Sequence, residues 1–520
     1  MKYAVATALL LAVAVPGIAQ VPDPLAMTTD PADRAVMAEA ASAVAGRPPD
    51  LAKLDAVLAK LPRPTPLRGM VQTVRAGVLA SARNAGPAVA AVEEALRLLP
   101  DDPRPKLVAA GVYTFAGAPQ RAADLWMEAS RESPDYARTS DRYLMLALVG
   151  RLTDIGDRVR ADRISARLDE IGFSAGLAPE RSSAALARIR EAIRNRQDAD
   201  AIQTVTAIGN PNDLLSLYVD RRYAALWPRI TEWAGADLAA QSLRYLNELR
   251  AGWTAADDFE TATPYARQLA RYQAFPTIVT LFLPMFERVQ PGAAQNGAEF
   301  LAPIVARALA TMDRGVEARA LLAKVAASMP PEDSGNALNI DGAYLTLASM
   351  TTNWPDVLAR ADTFLARART LGSNVNRSAV TSVQAWRACA LWRTNQGAAA
   401  QRATAEVVLA EAILPGAAMD VHVCRGDIAS ARALLIARLT DEATRDWALH
   451  YVQPRLDTMS TPLARLVQPI EAAVRLAPDI VATANRFGRI LPQPVDAALP
   501  KGFEAFRAPP RSKPLEPGAI

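Results

Sequence analysis

Four side chains limit the chemistry open to this 520-residue chain, because it has only two cysteines and two histidines. Cys389 and Cys424 lie 35 residues apart. On neighbouring helices they could form a disulfide if their Cβ vectors converge, or remain two small buried thiols. His422 precedes Cys424 by two positions and His450 stands alone. A zinc site needs three or four ligands in short paired spacings, so one His-x-Cys pair leads us to expect no metal. The same scarcity argues against Ser-His-Asp or Cys-His catalysis. Gly-rich phosphate loops are absent, and no cofactor is expected. The remaining candidate is Glu132, in Arg131-Glu132-Ser133. A carboxylic acid works as a general acid only in an enclosed, apolar setting. Glu132 precedes the Pro134 turn, where a solvated helix end is expected. The chain reads as a non-enzyme.

Charge gives little direction. Lys and Arg number 58 against 54 Asp and Glu, a formal net charge of +4. An excess this small, spread along the chain, does not point to nucleic acid. Arg158, Arg160, Arg163 and Arg167, and Arg188, Arg190, Arg194 and Arg196, are interspersed with Asp157, Asp162, Asp169 and Glu191. They read as solvated helix faces. Aromatic residues concentrate between 210 and 290. Tyr218, Tyr223, Trp227, Trp233, Tyr245 and Trp253 could line a ligand pocket there. They could equally form a thicker core, and the spacing of Tyr223, Trp227 and Ile230 is ordinary core periodicity.

The elements that must position these residues are helices. Apolar residues recur at i, i+3, i+4 and i+7, and two-residue alternation is scarce. Asp30-Pro31, Thr65-Pro66 and Asp102-Pro103 each place a capping residue before a proline at the first helical position. Gly46, Gly117, Gly172, Gly209 and Gly372, and Pro62, Pro100, Pro330 and Pro415, mark stops. The composition is 51% hydrophobic but only 6% aromatic. Its abundant Ala suits many close-packed short helices. Phe275 to Phe286 is apolar but too short to span a bilayer, so a buried helix is expected.

Two stretches repeat in register. Ala88, Val92, Ala95 and Pro100 match Ala122, Trp126, Ala129 and Pro134 at a shift of 34 residues. Ala110 supplies a small contact position on the intervening helix, with Tyr113 as the bulky residue one turn on. Looser echoes are Ala318, Leu322, Val325 and Pro330; Ala403, Val407, Ala410 and Pro415; and Leu466, Ile470, Ala473 and Pro478. In period and in its small, large, small, Pro order the pattern resembles the tetratricopeptide-repeat superfamily. The resemblance is good over residues 69 to 136 and partial later. It implies an all-α, right-handed solenoid of antiparallel helix pairs with a concave, peptide-binding face, and it carries no activity. Arg131-Glu132-Ser133 also resembles the Glu-Ser signature of lytic transglycosylases, but the lysozyme-like domain that should follow is missing.

The expected organisation is a signal peptide at 1–19, TPR-like repeats at 20–209, an irregular aromatic-rich segment at 210–290, further repeats at 291–490 and a Pro-rich, disordered tail at 491–520. The expected partner is a protein or peptide segment. The alternative is a carbohydrate-binding or accessory role in a cell-wall enzyme system, through the aromatic-rich middle. Lys2, the apolar run Ala4 to Val15 and the small-x-small site ending at Ala19 form a secretory signal. The expected destination is the periplasm or the exterior, with no transmembrane span in the mature chain. N-terminal sequencing of exported protein should therefore begin near Gln20; exported protein still starting at Met1 would contradict the reading.

Overall fold

The computed structural model describes residues 28–45, 49–173, 177–293, 296–329, 334–372, 375–412, 414–456, 458 and 460–504. The signal segment, Gly46, Pro330 and the residues after 504 lie outside these. Every regular element among the described residues is helical. The β features are two isolated bridges, Asp220 with Gly488 and Gln290 with Ala293. None of the described helices is long and apolar enough to cross a membrane. Two compact units separate at residues 175 and 176.

In the first unit, capping starts the helices. Asp50 accepts from the Ala52 and Lys53 amides, and Thr65 and Asp102 cap the helices Pro66–Ser81 and Pro103–Phe115. Gly117 ends a turn at a φ of +85°, a value that suits glycine. Helix Pro66–Ser81 packs on Ala85–Leu98, which packs on Pro103–Phe115, which packs on Pro119–Glu132. The contact points are small: Ala88, Ala95, Ala110, Ala122 and Ala129 are all buried. Val92 and Trp126 fill the space between them, and the Trp126 indole donates to Ser140 Oγ at 3.0 Å. Tyr113 is half-buried, Pro100 is exposed and Pro134 opens the short helix Pro134–Ala137.

Glu132 is more engaged than a free helix end. Lys106 is buried, and its Nζ lies 2.6 Å from Glu132 and 2.9 Å from Glu128. Burial works against the charge on Lys106, but the two carboxylates outweigh it and raise its pKa. Glu132 therefore helps neutralise a buried cation while keeping 42% of its own side chain exposed.

The second unit contains most of the aromatic residues and closes on itself. Helices Ala239–Ala256, Phe259–Arg271 and Phe275–Phe282 share a core in which Trp253, Tyr265 and Phe282 meet with ring centroids 5.1–5.9 Å apart. The apolar run from Phe275 is a helix to Phe282 and then a 3-10 turn, Leu283–Arg288. Further on, Pro415 and Pro478 open helices Pro415–Arg425 and Pro478–Phe487 instead of merely ending the preceding ones. The chain then returns. Helix Pro211–Val219 packs on Arg445–Tyr451. The Arg489 amide donates to Val219 O at 2.9 Å, and its Nε donates to Tyr218 O at 2.7 Å. The Arg489 guanidinium lies 3.5 Å from the Tyr218 ring centroid and 4.1 Å from that of Trp227. Gln453 holds the same segment by donating to Arg489 O and accepting from the Leu491 amide. Part of the stretch expected as a disordered tail is therefore packed: Leu491 is buried, and Leu499 and Phe503 lie against the core, where their apolar side chains gain by leaving water.

Gly488 makes this approach possible. A Cβ there would lie 2.2 Å from Val219 O and 2.8 Å from Leu449 Cδ2. Gly488→Ala should cost about 1–3 kcal/mol through overpacking. Gly252→Ala, at an exposed position of helix Ala239–Ala256 with nothing within 4 Å of the new Cβ, should add roughly 0.5–1 kcal/mol. Thermal unfolding of both variants checks the contrast; equal midpoints would contradict the closure.

Candidate functional site

Closure leaves a cavity of about 950 Å³ within the second unit, adjoined by a recess of about 380 Å³. The two share Arg271, Gln273 and Asp496. The wall is built mainly from alternate helices. Phe259–Arg271 packs on Ala298–Thr311, which packs on Ser334–Met350. Each turns one stripe to the cavity. On Ala298–Thr311 the stripe is Phe300, Ile304, Arg307 and Thr311, at i, i+4, i+7 and i+11. The rest of that helix, from Leu301 to Leu309, is largely core. Asn339, Gly342, Ala343 and Thr346 form the stripe of Ser334–Met350, and Arg267 and Arg271 that of Phe259–Arg271. Trp386 adds an aromatic edge from helix Arg377–Arg393. Helix Pro462–Arg475 adds Leu463, Val467, Gln468 and Glu471 to the cavity wall. Of its residues only Val474 and Arg475 are buried. Consequently Leu466 and Ile470 are half-buried and Ala473 is exposed, unlike the alanines of the first unit.

The lining mixes apolar rings with hydrogen-bonding groups and charges. Arg271 lies 3.5 Å from Asp496, and Arg455 lies 3.9 Å from Glu471. Arg267 and Arg307 are exposed, and no carboxylate of the described residues pairs with either. His450 lines the recess, with its Nε2 2.8 Å from Ser216 Oγ. Desolvation lowers the His450 pKa to about 4, so the ring is neutral at pH 7. Asp420 shifts the opposite way. Its side chain reaches solvent, but the protein crowded around it and the charge of Glu471 raise it to about 7.

The six aromatic residues singled out in the sequence line neither space. Tyr218, Tyr223, Tyr245 and Trp253 are buried in the core, and Trp227 and Trp233 pack at its margin. Burial raises the phenol pKa of Tyr223 and Tyr245. From the same part of the sequence, Arg267, Arg271, Gln273 and Phe275 reach the cavity instead. The available signal was the break in an otherwise buried helix, where a polar or charged residue recurs on one face.

Cys389 and Cys424 are joined in a disulfide, with Cα atoms 5.8 Å apart. It ties the helix carrying Trp386 to Pro415–Arg425. His422 is largely buried, with its Nδ1 4.0 Å from Asp427. Among the described residues no three His, Cys, Asp or Glu side chains gather as metal ligands. Of the arginine-rich faces, Arg160, Arg167, Arg190 and Arg194 are paired with Asp124 and Asp157, Glu170, Asp446 and Glu191 respectively. No protein-family model matches the chain, and no curated protein matches it.

A 35-residue loop closed by a disulfide should contribute roughly 3–4 kcal/mol in the chain-entropy account. Cys389→Ser with Cys424→Ser, or reduction by dithiothreitol, should lower the unfolding midpoint of the second unit. An unchanged midpoint after verified reduction would contradict that contribution.

Proposed function

We propose that this chain is an exported, non-enzymatic binding protein of TPR-like helix pairs, and that the cavity of its second unit holds an extended segment of a partner protein. The observation that carries the reading is the wall of three adjacent helices whose stripes together mix apolar, polar and charged groups. Packed helix axes lie about 8–10 Å apart, so three of them span roughly 16–20 Å. An extended chain covers that distance in about five or six residues at ~3.3 Å each. The stripes offer what such a segment needs. Asn339 and Thr346 can bond its backbone, and Phe275, Phe300, Ile304 and Val467 can receive its apolar side chains. Export to the periplasm or the exterior belongs to the same reading, supported by Lys2 and the apolar run after it.

A carbohydrate-binding or accessory role in a cell-wall enzyme system draws less support. Sugar stacking requires exposed ring faces, and Tyr218, Tyr223, Tyr245 and Trp253 spend theirs on packing.

The test uses Thr346, which is exposed on the cavity wall, so Thr346→Trp fills the space without entering the core. Peptides selected from a displayed library on the intact protein should protect amides of residues 298–311 and 334–350 in hydrogen exchange. They should lose at least about tenfold in affinity for Thr346→Trp. Protection confined to other helices, with undiminished binding by the variant, would place the site elsewhere.

A further inference from the structure

Resting on the segment-binding reading, the geometry points to an acidic segment as the occupant, with its carboxylates received by Arg267 and Arg307. These two arginines stand on helices that pack directly on each other, and both face the same cavity. Each acid on the wall is already engaged: Asp496 with Arg271, Glu471 with Arg455, and Glu299 is largely buried and has interactions of its own. Arg267 and Arg307 are the cations of the wall that no carboxylate of the described residues neutralises. A guanidinium presents a planar fork of donors that matches a carboxylate, and a cavity wall of lower dielectric than water strengthens that pairing.

The neighbours of the two arginines decide the class of anion. Phe300 and Ile304 stand on the same stripe as Arg307, and Trp386 and Met350 complete an apolar surface beside it. A ligand that satisfies this wall combines carboxylates with apolar groups and carries backbone amides for Asn339. An acidic, amphipathic protein segment has all three. A phosphate or uronate polymer has only charge, and two arginines provide few contacts for it.

Two fluorescein-labelled octapeptide pools test the assignment by anisotropy on the intact protein. One fixes Glu at two positions and randomises the rest; the other fixes Gln at the same positions. The Glu pool should bind more tightly, and Arg267→Gln with Arg307→Gln should weaken it about tenfold while leaving the Gln pool unchanged. Raising NaCl from 50 to 500 mM should weaken the Glu pool alone, since exposed charge pairs are screened at about 0.5 M. Both substitutions are at exposed positions, and an unchanged thermal midpoint confirms the fold. Equal binding of both pools, or no loss in the double variant, would overturn the acidic preference and leave the segment site standing if Thr346→Trp still blocks it. Polyphosphate bound where neither pool binds would overturn the assignment in favour of a polyanion. Failure of both pools and of polyphosphate would remove the segment-binding reading itself.

Discussion

The contact of Gly488 and Arg489 with Tyr218 and Val219 is the constraint on which the second unit depends. About 270 residues of chain lie between the two sides. Helices that packed only on their neighbours in sequence would leave residues 453–496 far from Leu215 and Arg271. The return brings them together, and with them both sides of the recess that Leu215, Arg271, His450 and Asp496 line. The join is made from groups that tolerate little substitution. Two backbones meet where a Cβ would not fit, and an arginine lies against two aromatic faces while donating to a carbonyl.

Beside this join lies a partly buried ionic network. Asp220 is fully buried and pairs with Arg222 at 2.6 Å; Arg222 also reaches Asp446 at 2.9 Å, and Asp446 reaches Arg190 at 2.8 Å. The pairing with Asp220 and Asp446 outweighs desolvation and keeps the Arg222 pKa raised. Ion pairs withdrawn from water in this way add little net stability, because desolvating the charges offsets most of the attraction. They do penalise any arrangement that leaves one partner alone. The network therefore selects the correct register between residues 190–222 and 442–446, while apolar burial of Leu217, Leu226 and Leu449 supplies the stabilisation. The first unit needs no such device, since its contacts are between near neighbours in sequence and form locally.

What the sequence made legible follows the same division. Helix starts at Pro31, Pro66 and Pro103 were readable because capping and proline chemistry act over three or four residues. The buried alanines at 88, 95, 122 and 129 were readable because a packed helix repeats its small positions. The closure was not readable, since nothing local distinguishes Gly488 from a glycine ending a helix. The aromatic residues were a poor guide to the cavity for a physical reason. Large rings gain most by burial, so a cluster of them marks the thickest core sooner than an open space. Nothing local sets Arg267 and Arg307 apart from other helix-surface arginines, and only the fold brings them to one cavity.

The composition of the cavity wall is a consequence of the way the helices stack. A helix in the middle of such an array buries its flanks on the helices to either side and leaves one stripe uncovered. If that stripe were wholly apolar, three adjacent helices would expose a continuous patch prone to association. If it were wholly charged, it would stay hydrated and gain little from any partner. The observed stripe carries both: Phe300 keeps 41% of its surface exposed, and Arg307 stands two turns further on. The ring is poorly satisfied by water because it is apolar, and the arginine, though hydrated, has no carboxylate of the described residues beside it. A segment that covers one while pairing with the other gains from both, and the arrangement favours a ligand carrying the two groups at the spacing of the helix turns.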